Sequence, residues 1–283
     1  MAARQHVVLV TGGMGGLGET ISTKMVDAGY KVVVTYSPSN TKSAEWIAEM
    51  KKNGYDITAV ACDVADFDSC TRAVAEVQAK VGAVDILVNN AGILLDETFA
   101  KSKESNWDKV IRVHLKGTYC CTIPVFKWQR ENGGGVIVNT SSTSGLIGNF
   151  GQTNYGAAKG GIWGLSNVLA IEGRKYNIRI WTLAPGALTR MTADLPRYIE
   201  NPKAALGPDG IAPAVLYMVS ELSGDQTGKT LGVSGPRGVR EMRMMEMDGW
   251  KPPGEGWKAE DVVTHAKEIF FSEEQIKMGA RRF

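Results

Sequence analysis

The 283-residue sequence has few of the features that are typical of highly charged, membrane-spanning or exported proteins. Its 32 basic and 30 acidic side chains leave a formal net charge of +2, which gives no reason to expect a nucleic-acid or membrane partner. No apolar run approaches the roughly 18 residues that span a membrane. Residues 1–6 lead straight into the first predicted strand and leave no room for a signal peptide, so we expect a cytoplasmic protein.

Cysteine is also scarce, and its spacing shows no metal or redox pair. The four cysteines are Cys62, Cys70, Cys120 and Cys121. They contain no C-x-x-C pair, and we expect them to be reduced thiols in a reducing compartment. Cys120 and Cys121 fall in a predicted helix, where we expect them in the core. We expect no metal site.

What is present is an alternation of strand-length and helix-length segments. Apolar runs rich in Val and Ile recur from His6–Thr11 to Thr230–Val233, and helical stretches such as Ser69–Val81 lie between them. The runs are continuous rather than alternating, which is typical of strands buried on both faces of a parallel sheet. This series predicts an α/β protein with a doubly wound parallel sheet of the Rossmann type, with ligands at the carboxyl ends of its strands.

Domain organisation follows from where this alternation stops. We expect residues 1–234 to form one domain, since open α/β sheets of this size often fold as a unit. From Gly235 onward, Arg, Met, Pro and Trp replace the rhythm of strands and helices. We expect residues 235–283 to be a C-terminal extension that packs on the body or at a subunit interface, because Trp250, Trp257 and Phe270 are too apolar for a free tail.

A glycine-rich turn follows the first predicted strand and opens a helix. It reads Thr11-Gly12-Gly13-Met14-Gly15-Gly16-Leu17-Gly18. Glycines in such a turn permit positive φ and let backbone N–H groups approach a pyrophosphate at the helix N-terminus. The alternative is a turn without a ligand, but its position after the first strand favours a nucleotide. We therefore expect residues 1–234 to bind a dinucleotide.

A second motif lies in the predicted helix Thr153–Arg174. Tyr155 and Lys159 are four residues apart, so their side chains share one face of that helix. Ser142 stands just past the end of the fifth predicted strand, where an active site is expected in this kind of sheet. A Tyr-x-x-x-Lys alone is common at protein surfaces, but the three residues together indicate catalysis.

With these motifs, residues 5–235 resemble the short-chain dehydrogenase/reductase family. Besides the residues already named, the likeness rests on Cys62-Asp63-Val64, Asn89-Asn90-Ala91-Gly92 and Pro185-Gly186. The part from Val8 to about Ile93 resembles acetoacetyl-CoA reductases. From about Arg112 the chain resembles the (R)-3-hydroxyacyl-CoA dehydrogenase part of multifunctional enzymes and related hydroxysteroid dehydrogenases, as in Gly148-Asn149-Phe150-Gly151-Gln152.

The resemblance implies that Tyr155 is the acid in ketone reduction and the base in alcohol oxidation. An ordinary phenol has a pKa of about 10, and one cation ~4 Å away supplies the roughly 4 kcal/mol that working near neutrality requires. Lys159 would be that cation. Ser142 would hydrogen-bond the substrate oxygen, and Gln152 would also meet the substrate. His114 stands where the family has an asparagine that supports a proton relay, and a relay histidine and a buried structural histidine stay equally open.

The resemblance also implies a nicotinamide cofactor and the residues that hold it. These are Gly12, Met14, Gly16, Leu17, Gly18, Tyr36, Ser37, Lys42, Asp63, Val64, Asn90, Ala91, Gly92, Tyr155, Lys159, Pro185, Gly186 and Thr189. An acid at the end of the second strand would bind the adenosine ribose and repel a 2′-phosphate. No acid stands in Thr35–Lys42, and Ser37 and Lys42 suit a phosphate, so NADP(H) is favoured over NAD(H).

We predict an oxidoreductase that transfers hydride between this cofactor and a 3-oxoacyl or (R)-3-hydroxyacyl thioester, with an acyl-CoA as its substrate partner. Two alternatives stay open, a hydroxysteroid dehydrogenase or general carbonyl reductase, and a non-catalytic nucleotide-sensing protein. The family likeness and the apolar helix Thr153–Leu169 favour a homo-oligomer, specifically a homotetramer.

Overall fold

Seven predicted strands and one further strand form a single eight-stranded sheet. A computed structural model describes residues 5–186, 207–244, 249–252, 254 and 256–274. The strands are β1 Val7–Val10, β2 Lys31–Tyr36, β3 Ile57–Ala61, β4 Val84–Asn89, β5 Gly135–Thr140, β6 Ile178–Gly186, β7 Lys229–Ser234 and β8 Gly238–Glu241. Their order is β3-β2-β1-β4-β5-β6-β7-β8, and every pair is parallel except β7 and β8.

Helices follow the strands along the chain. They are α1 Gly16–Asp27, α2 Ser43–Lys52, α3 Phe67–Lys80, α4 Glu104–Ile111, α5 Gly117–Glu131, α6 Thr143–Leu146, α7 Thr153–Gly173, α8 Ala212–Val219, α9 Ala259–Thr264 and α10 Ala266–Ile269. A π-helical turn, Arg112–Lys116, joins α4 to α5. The start of α3 is fixed by Asp66, whose carboxylate accepts a hydrogen bond from the Ser69 N–H at 2.6 Å. No helix within the described ranges is long and apolar enough to cross a membrane.

The sheet has a hydrophobic core on each of its faces. Val8 and Val10 belong to one core, whereas Val7 and Leu9 belong to the other. Successive side chains of a strand point to opposite faces, so a strand covered on both faces needs apolar residues at consecutive positions. The doubly wound α/β fold predicted from the continuous apolar runs is confirmed.

The eighth strand is not among those that the sequence predicts. β8 runs antiparallel to β7, and the Met242 N–H donates to the Thr230 carbonyl oxygen at 2.9 Å. One compact unit therefore extends over Met1–Met242, past the boundary predicted at residue 234. β8 is short and carries Arg240 and Glu241, which is typical of an edge strand and produces no apolar run in the sequence.

Residues Arg243–Phe283 form a second unit. Its described part contains α9 and α10. The rings of Trp250 and His265 stack with centroids 4.2 Å apart, and Nδ1 of His265 lies 2.8 Å from a carboxylate oxygen of Glu268. Trp257 and Phe270 are exposed, so this unit presents apolar side chains on its surface.

Candidate active site

The strand order reverses between β1 and β4, and this opens a crevice at their carboxyl ends. The glycine-rich turn lies at this edge of the sheet. Gly12 and Gly16 have φ of +62° and +52°, a conformation that glycine adopts readily. A Cβ at Gly18 would overlap the carbonyl oxygen of Gly12. The glycines therefore let the turn close on the start of α1.

Two side chains hold this turn against the end of β4. Oγ1 of Thr11 accepts hydrogen bonds from the N–H groups of Asn90 at 2.9 Å and Ala91 at 3.1 Å. In return, Nδ2 of Asn90 donates to the carbonyl oxygens of Thr11 at 3.1 Å and Gly12 at 3.3 Å. The turn after β1 and the loop after β4 are thus tied into one hydrogen-bonded edge.

A cavity of about 1030 Å³ runs along this edge. Its volume is at the upper end of the roughly 300–1,000 Å³ that is usual for small-molecule sites. Most residues that the sequence assigns to the cofactor line it, namely Gly12, Met14, Gly16, Leu17, Tyr36, Ser37, Asp63, Val64, Asn90, Ala91, Gly92, Tyr155, Lys159 and Pro185. His114 lines it as well, so residues far apart in the sequence share one cavity.

The other assigned cofactor residues lie elsewhere. Gly18 is buried within α1, Lys42 is exposed just before α2, and Gly186 is the last residue of β6. None of these three is among the residues that line the cavity. Thr189 lies outside the described residues. Lys42 lies two residues from Asn40, which lines the cavity, and its phosphate-binding role stays a prediction.

Part of the cavity wall comes from helical residues that are not among the predicted site residues. They are Ser105, Asp108, Lys109 and Arg112. Their spacing of three, four and seven residues places them on one face of a helix. This repeated polar face is the signal that could have identified them. Ser39 and Asn40, from the loop after β2, also line the cavity.

Lys159 is buried on α7 close to the ring of Tyr155. Its Nζ donates a hydrogen bond to the Thr140 carbonyl oxygen at 2.6 Å and lies 5.5 Å from the Tyr155 ring centroid. Oγ of Ser141 donates to the Lys159 carbonyl oxygen at 2.8 Å, which fixes the backbone there. Burial disfavours the charged amine and lowers the pKa of Lys159 to about 7. This lysine therefore exchanges its proton near neutral pH.

Ser142 is not among the described residues that line the cavity, and it starts a chain of hydrogen bonds. Its hydroxyl accepts from the Ser144 N–H at 3.2 Å and donates to the Ser144 hydroxyl at 3.3 Å. Ser144 in turn donates to Oε1 of Gln152 at 2.7 Å, and Nε2 of Gln152 donates to the Asp96 carboxylate at 2.6 Å. Gln152 is buried, and both ends of its amide are engaged. In this structure the Gln152 amide is a partner of Ser144 and lies outside the cavity lining.

His114 lies in the π-helical turn between α4 and α5, edge-on to Tyr155 with ring centroids 5.2 Å apart. Its Nε2 lies 2.7 Å from the Ile93 carbonyl oxygen, to which the ring donates when the proton is on Nε2. Burial, followed by the charge of Lys159, lowers the pKa of His114 to about 3. A Cβ at Gly92 would overlap the imidazole ring. His114 is thus a neutral group at neutral pH, and Gly92 makes room for it.

Two buried polar atoms at the cavity test whether the site fits a cofactor. Thr140 Oγ1 and His114 Nδ1 have no hydrogen-bond partner within the described part of the chain, although both residues line the cavity. Buried polar groups nearly always have a partner, so these atoms fit a site that a polar ligand completes. The glycine turn at the N-terminus of α1 adds N–H groups suited to a pyrophosphate.

Known proteins are similar to this chain in sequence. The short chain dehydrogenase family matches residues 6–198. The chain is 40% identical over 242 residues to an acetoacetyl-CoA reductase of Acinetobacter sp. (strain RA3849), and the match covers 82% of this chain and 98% of that protein. It is also 40% identical over 234 residues to the peroxisomal hydratase-dehydrogenase-epimerase of Saccharomyces cerevisiae, covering 78% of this chain and 25% of that protein.

A solved structure has the same fold over nearly the whole chain. The crystal structure of a short chain dehydrogenase from Mycobacterium avium superposes with a TM-score of 0.82 at 30% identity, covering 95% of this chain and 97% of that one. The two resemblances stated from the sequence are confirmed by these relatives. The chain therefore belongs to the short chain dehydrogenase family and is an oxidoreductase that works with a nicotinamide cofactor.

Proposed function

We propose that the chain interconverts 3-oxoacyl and (R)-3-hydroxyacyl thioesters, with coenzyme A as the carrier. One observation carries the chemistry, namely that Tyr155 and Lys159 share a cavity with the glycine turn. The substrate class is supported by the acetoacetyl-CoA reductase relative, whose match accounts for 98% of its own length.

The proton is handled by Tyr155. In reduction its hydroxyl donates a proton to the ketone oxygen, and in oxidation the phenolate takes the proton back from the alcohol. When bound, the nicotinamide supplies or accepts the hydride that accompanies this transfer. Ser142 lies at the carboxyl end of β5, and its hydroxyl holds the same substrate oxygen in place.

Lys159 supports Tyr155 in two ways. Its charged form stabilises the phenolate, because an opposite charge nearby favours the ionised state of a phenol. Its pKa of about 7 also lets it exchange a proton at neutral pH, near the optimum for acid–base catalysis. His114 is neutral at that pH, so any role in resupplying the proton uses its imidazole as an acceptor or donor of hydrogen bonds.

NADP(H) is the preferred cofactor in this proposal. The cavity wall at the end of β2 consists of Tyr36, Ser37, Ser39 and Asn40, and it has no carboxylate to repel a 2′-phosphate. Lys109 and Arg112 add positive charge to the wall, although Asp63 and Asp108 oppose it. Hydroxyl and amide groups from the loop after β2, together with Lys42 next to them, would receive the phosphate.

The test pairs one substrate comparison with one variant. We expect NADPH oxidation with acetoacetyl-CoA to exceed that with a steroid ketone, and Tyr155→Phe to remove most turnover while cofactor binding is kept. Tyr55→Phe, a partly buried tyrosine outside the cavity lining, is the matched control and should retain activity. A preference for the steroid ketone favours the alternative of a hydroxysteroid dehydrogenase. Turnover of neither ketone by the parent favours a nucleotide-sensing protein.

A homotetramer is part of the same proposal. α7 exposes Val168 and Ile171, and α5 exposes Tyr119, which is more apolar surface than a helix facing water needs. Sedimentation at micromolar concentration should give a tetramer, and a monomer contradicts this part of the proposal. The cysteines are free thiols, which supports the reducing cytoplasm as the compartment.

A further inference from the structure

Three cysteines that are scattered in the sequence meet in the core beside the cofactor cavity. Cys62 follows β3, Cys70 lies on α3, and Cys121 lies on α5. Sγ of Cys70 is 3.8 Å from Sγ of Cys62 and 3.4 Å from Sγ of Cys121, and all three sulphur atoms lie within 4.8 Å of one another. One loop and two helices thus each place one thiol at the same point in the core.

Cys120 is an example of a cysteine that serves only as a core residue in this protein. It is fully buried on α5, next to Cys121, yet it is not a member of the three-sulphur group. A free cysteine often behaves as a small apolar core residue, and Cys120 fits that description. Cys62, Cys70 and Cys121 differ because their sulphur atoms face one another.

The spacing of the three sulphur atoms matches that of a bound ion. Thiolate ligands lie about 2.3 Å from Zn²⁺, which places the sulphur atoms of one site ~4 Å apart. The two short separations here are 3.8 Å and 3.4 Å. Small side-chain adjustments are therefore enough to seat an ion between the three atoms. Cys62 also lines the cofactor cavity, so the group lies next to that space.

We propose that Cys62, Cys70 and Cys121 form a binding site for a thiophilic divalent cation, Zn²⁺ or Cd²⁺, held by three thiolates. Soft thiolate ligands select such ions over Mg²⁺ or Ca²⁺. Three thiolates and a divalent ion leave one net negative charge, whereas a monovalent ion would leave two in the same apolar core, and buried charge is costly. With three protein ligands, Zn²⁺ takes water in its fourth position.

Binding has a defined proton balance. The ligands are thiolates, so each thiol that enters the coordination sphere gives its proton to the solvent and no oxidant or reductant is needed. Affinity therefore rises with pH, and the ion stabilises the folded chain because the three ligands come together only after folding. This site is independent of the proposed acyl-CoA chemistry.

The test is titration of the full-length, reduced and chelator-treated protein with Cd²⁺ and Zn²⁺. We expect one Cd²⁺ per chain with thiolate-to-metal charge-transfer absorption, and a rise in melting temperature with Zn²⁺. Cys70→Ala and Cys121→Ala should lose at least the roughly 10–100-fold in affinity that loss of an outer-shell partner already costs. Cys120→Ala is the matched control and should bind like the parent.

The outcome is decisive in either direction. Ions held by surface groups such as His6 and His265 give no thiolate absorption, so the band separates the proposed site from adventitious binding. The proposal is overturned if the parent shows no such band with stoichiometric Cd²⁺. It is equally overturned if Cys120→Ala loses as much affinity as Cys121→Ala. Should the two helix variants fail to fold, Cys62→Ser, in the loop after β3, decides by the same criteria.

Discussion

Lys159 places a titratable amine in the interior. Replacing it should raise the free energy of unfolding at low pH and lower it at high pH. The side chain is only 3% exposed, and burial lowers its pKa from 10.5 to about 7. Lys159→Met keeps most of the length of the side chain and removes the titrating group. We expect the variant to lose turnover and to unfold less readily than the parent at acidic pH.

The sign follows from which state holds the proton. Between pH 7 and 10.5 the unfolded chain binds a proton at Lys159 that the folded chain does not, so the parent gains stability as pH rises through this window. Below pH 7 the whole shift opposes folding, and it corresponds to about 5 kcal/mol at 1.36 kcal/mol per pKa unit. The Lys159→Met variant avoids this cost but leaves the Thr140 carbonyl oxygen short of one donor, at about 1–3 kcal/mol. The net gain below pH 7 is about 2–4 kcal/mol, and above about pH 10.5 it becomes a loss of about 1–3 kcal/mol.

Urea denaturation at a series of pH values, with the protein concentration held fixed, measures both signs. The curves of free energy of unfolding for parent and variant should cross between pH 7 and pH 10.5. Lys52→Met removes an exposed lysine near the end of α2 and is the control, whose curve should run parallel to that of the parent. A constant difference between parent and Lys159→Met across this range would refute the reasoning.

Four further predictions rest on other parts of the chain. Tyr36→Asp should shift kcat/KM from NADPH toward NADH by adding a carboxylate for the ribose, and equal kcat/KM of the parent for both cofactors contradicts this. Between pH 6.5 and about pH 3 only the unfolded chain protonates His114, so the free energy of unfolding of the parent falls by up to about 5 kcal/mol as the pH is lowered. The His114→Asn variant should not show this fall. An unchanged acid-unfolding midpoint speaks against it. Gly92→Ala should cost about 1–3 kcal/mol by crowding the His114 ring, whereas Gly164→Ala, in an open helical position, should be neutral or stabilising. Deleting residues 243–283 leaves β8 intact and should change either the acyl chain-length profile or the assembly. If both stay as in the parent, the extension has neither role.

The sequence predicts seven of the described strands because most of them are apolar runs between recognisable turns. Consecutive apolar residues such as Val7 to Val10 have one physical explanation in a sheet, namely burial on both faces, and the two cores bear this out. β8 escapes because an edge strand pairs through its backbone and needs no apolar side chains. Because β8 carries charged residues, the predicted sheet ends one strand earlier.

The residues of the site also fall into those that the sequence predicts and those that it does not. Tyr155, Lys159 and the glycine turn are recognisable because their chemistry restricts both residue type and spacing. Ser105 to Arg112 escaped because polar residues on a helix usually face water, and only the tertiary structure brings that face to the cavity. Cys70 and Cys121 meet where α3 packs against α5, and Cys62 joins them from the end of β3. No local spacing encodes such a contact.

The π-helical turn Arg112–Lys116 makes the length of one helix a strict requirement. Each residue of an α-helix rotates the next by about 100°, so the turn sets the angle between the face of α4 at the cavity and the face of α5 in the core. Loss of one residue from the regular α-helix between Gly117 and Cys120 would rotate Cys121 and Gln129 by about 100°, away from their buried partners. The contacts at the cavity and in the core therefore fix the number of residues between Ser105 and Gln129.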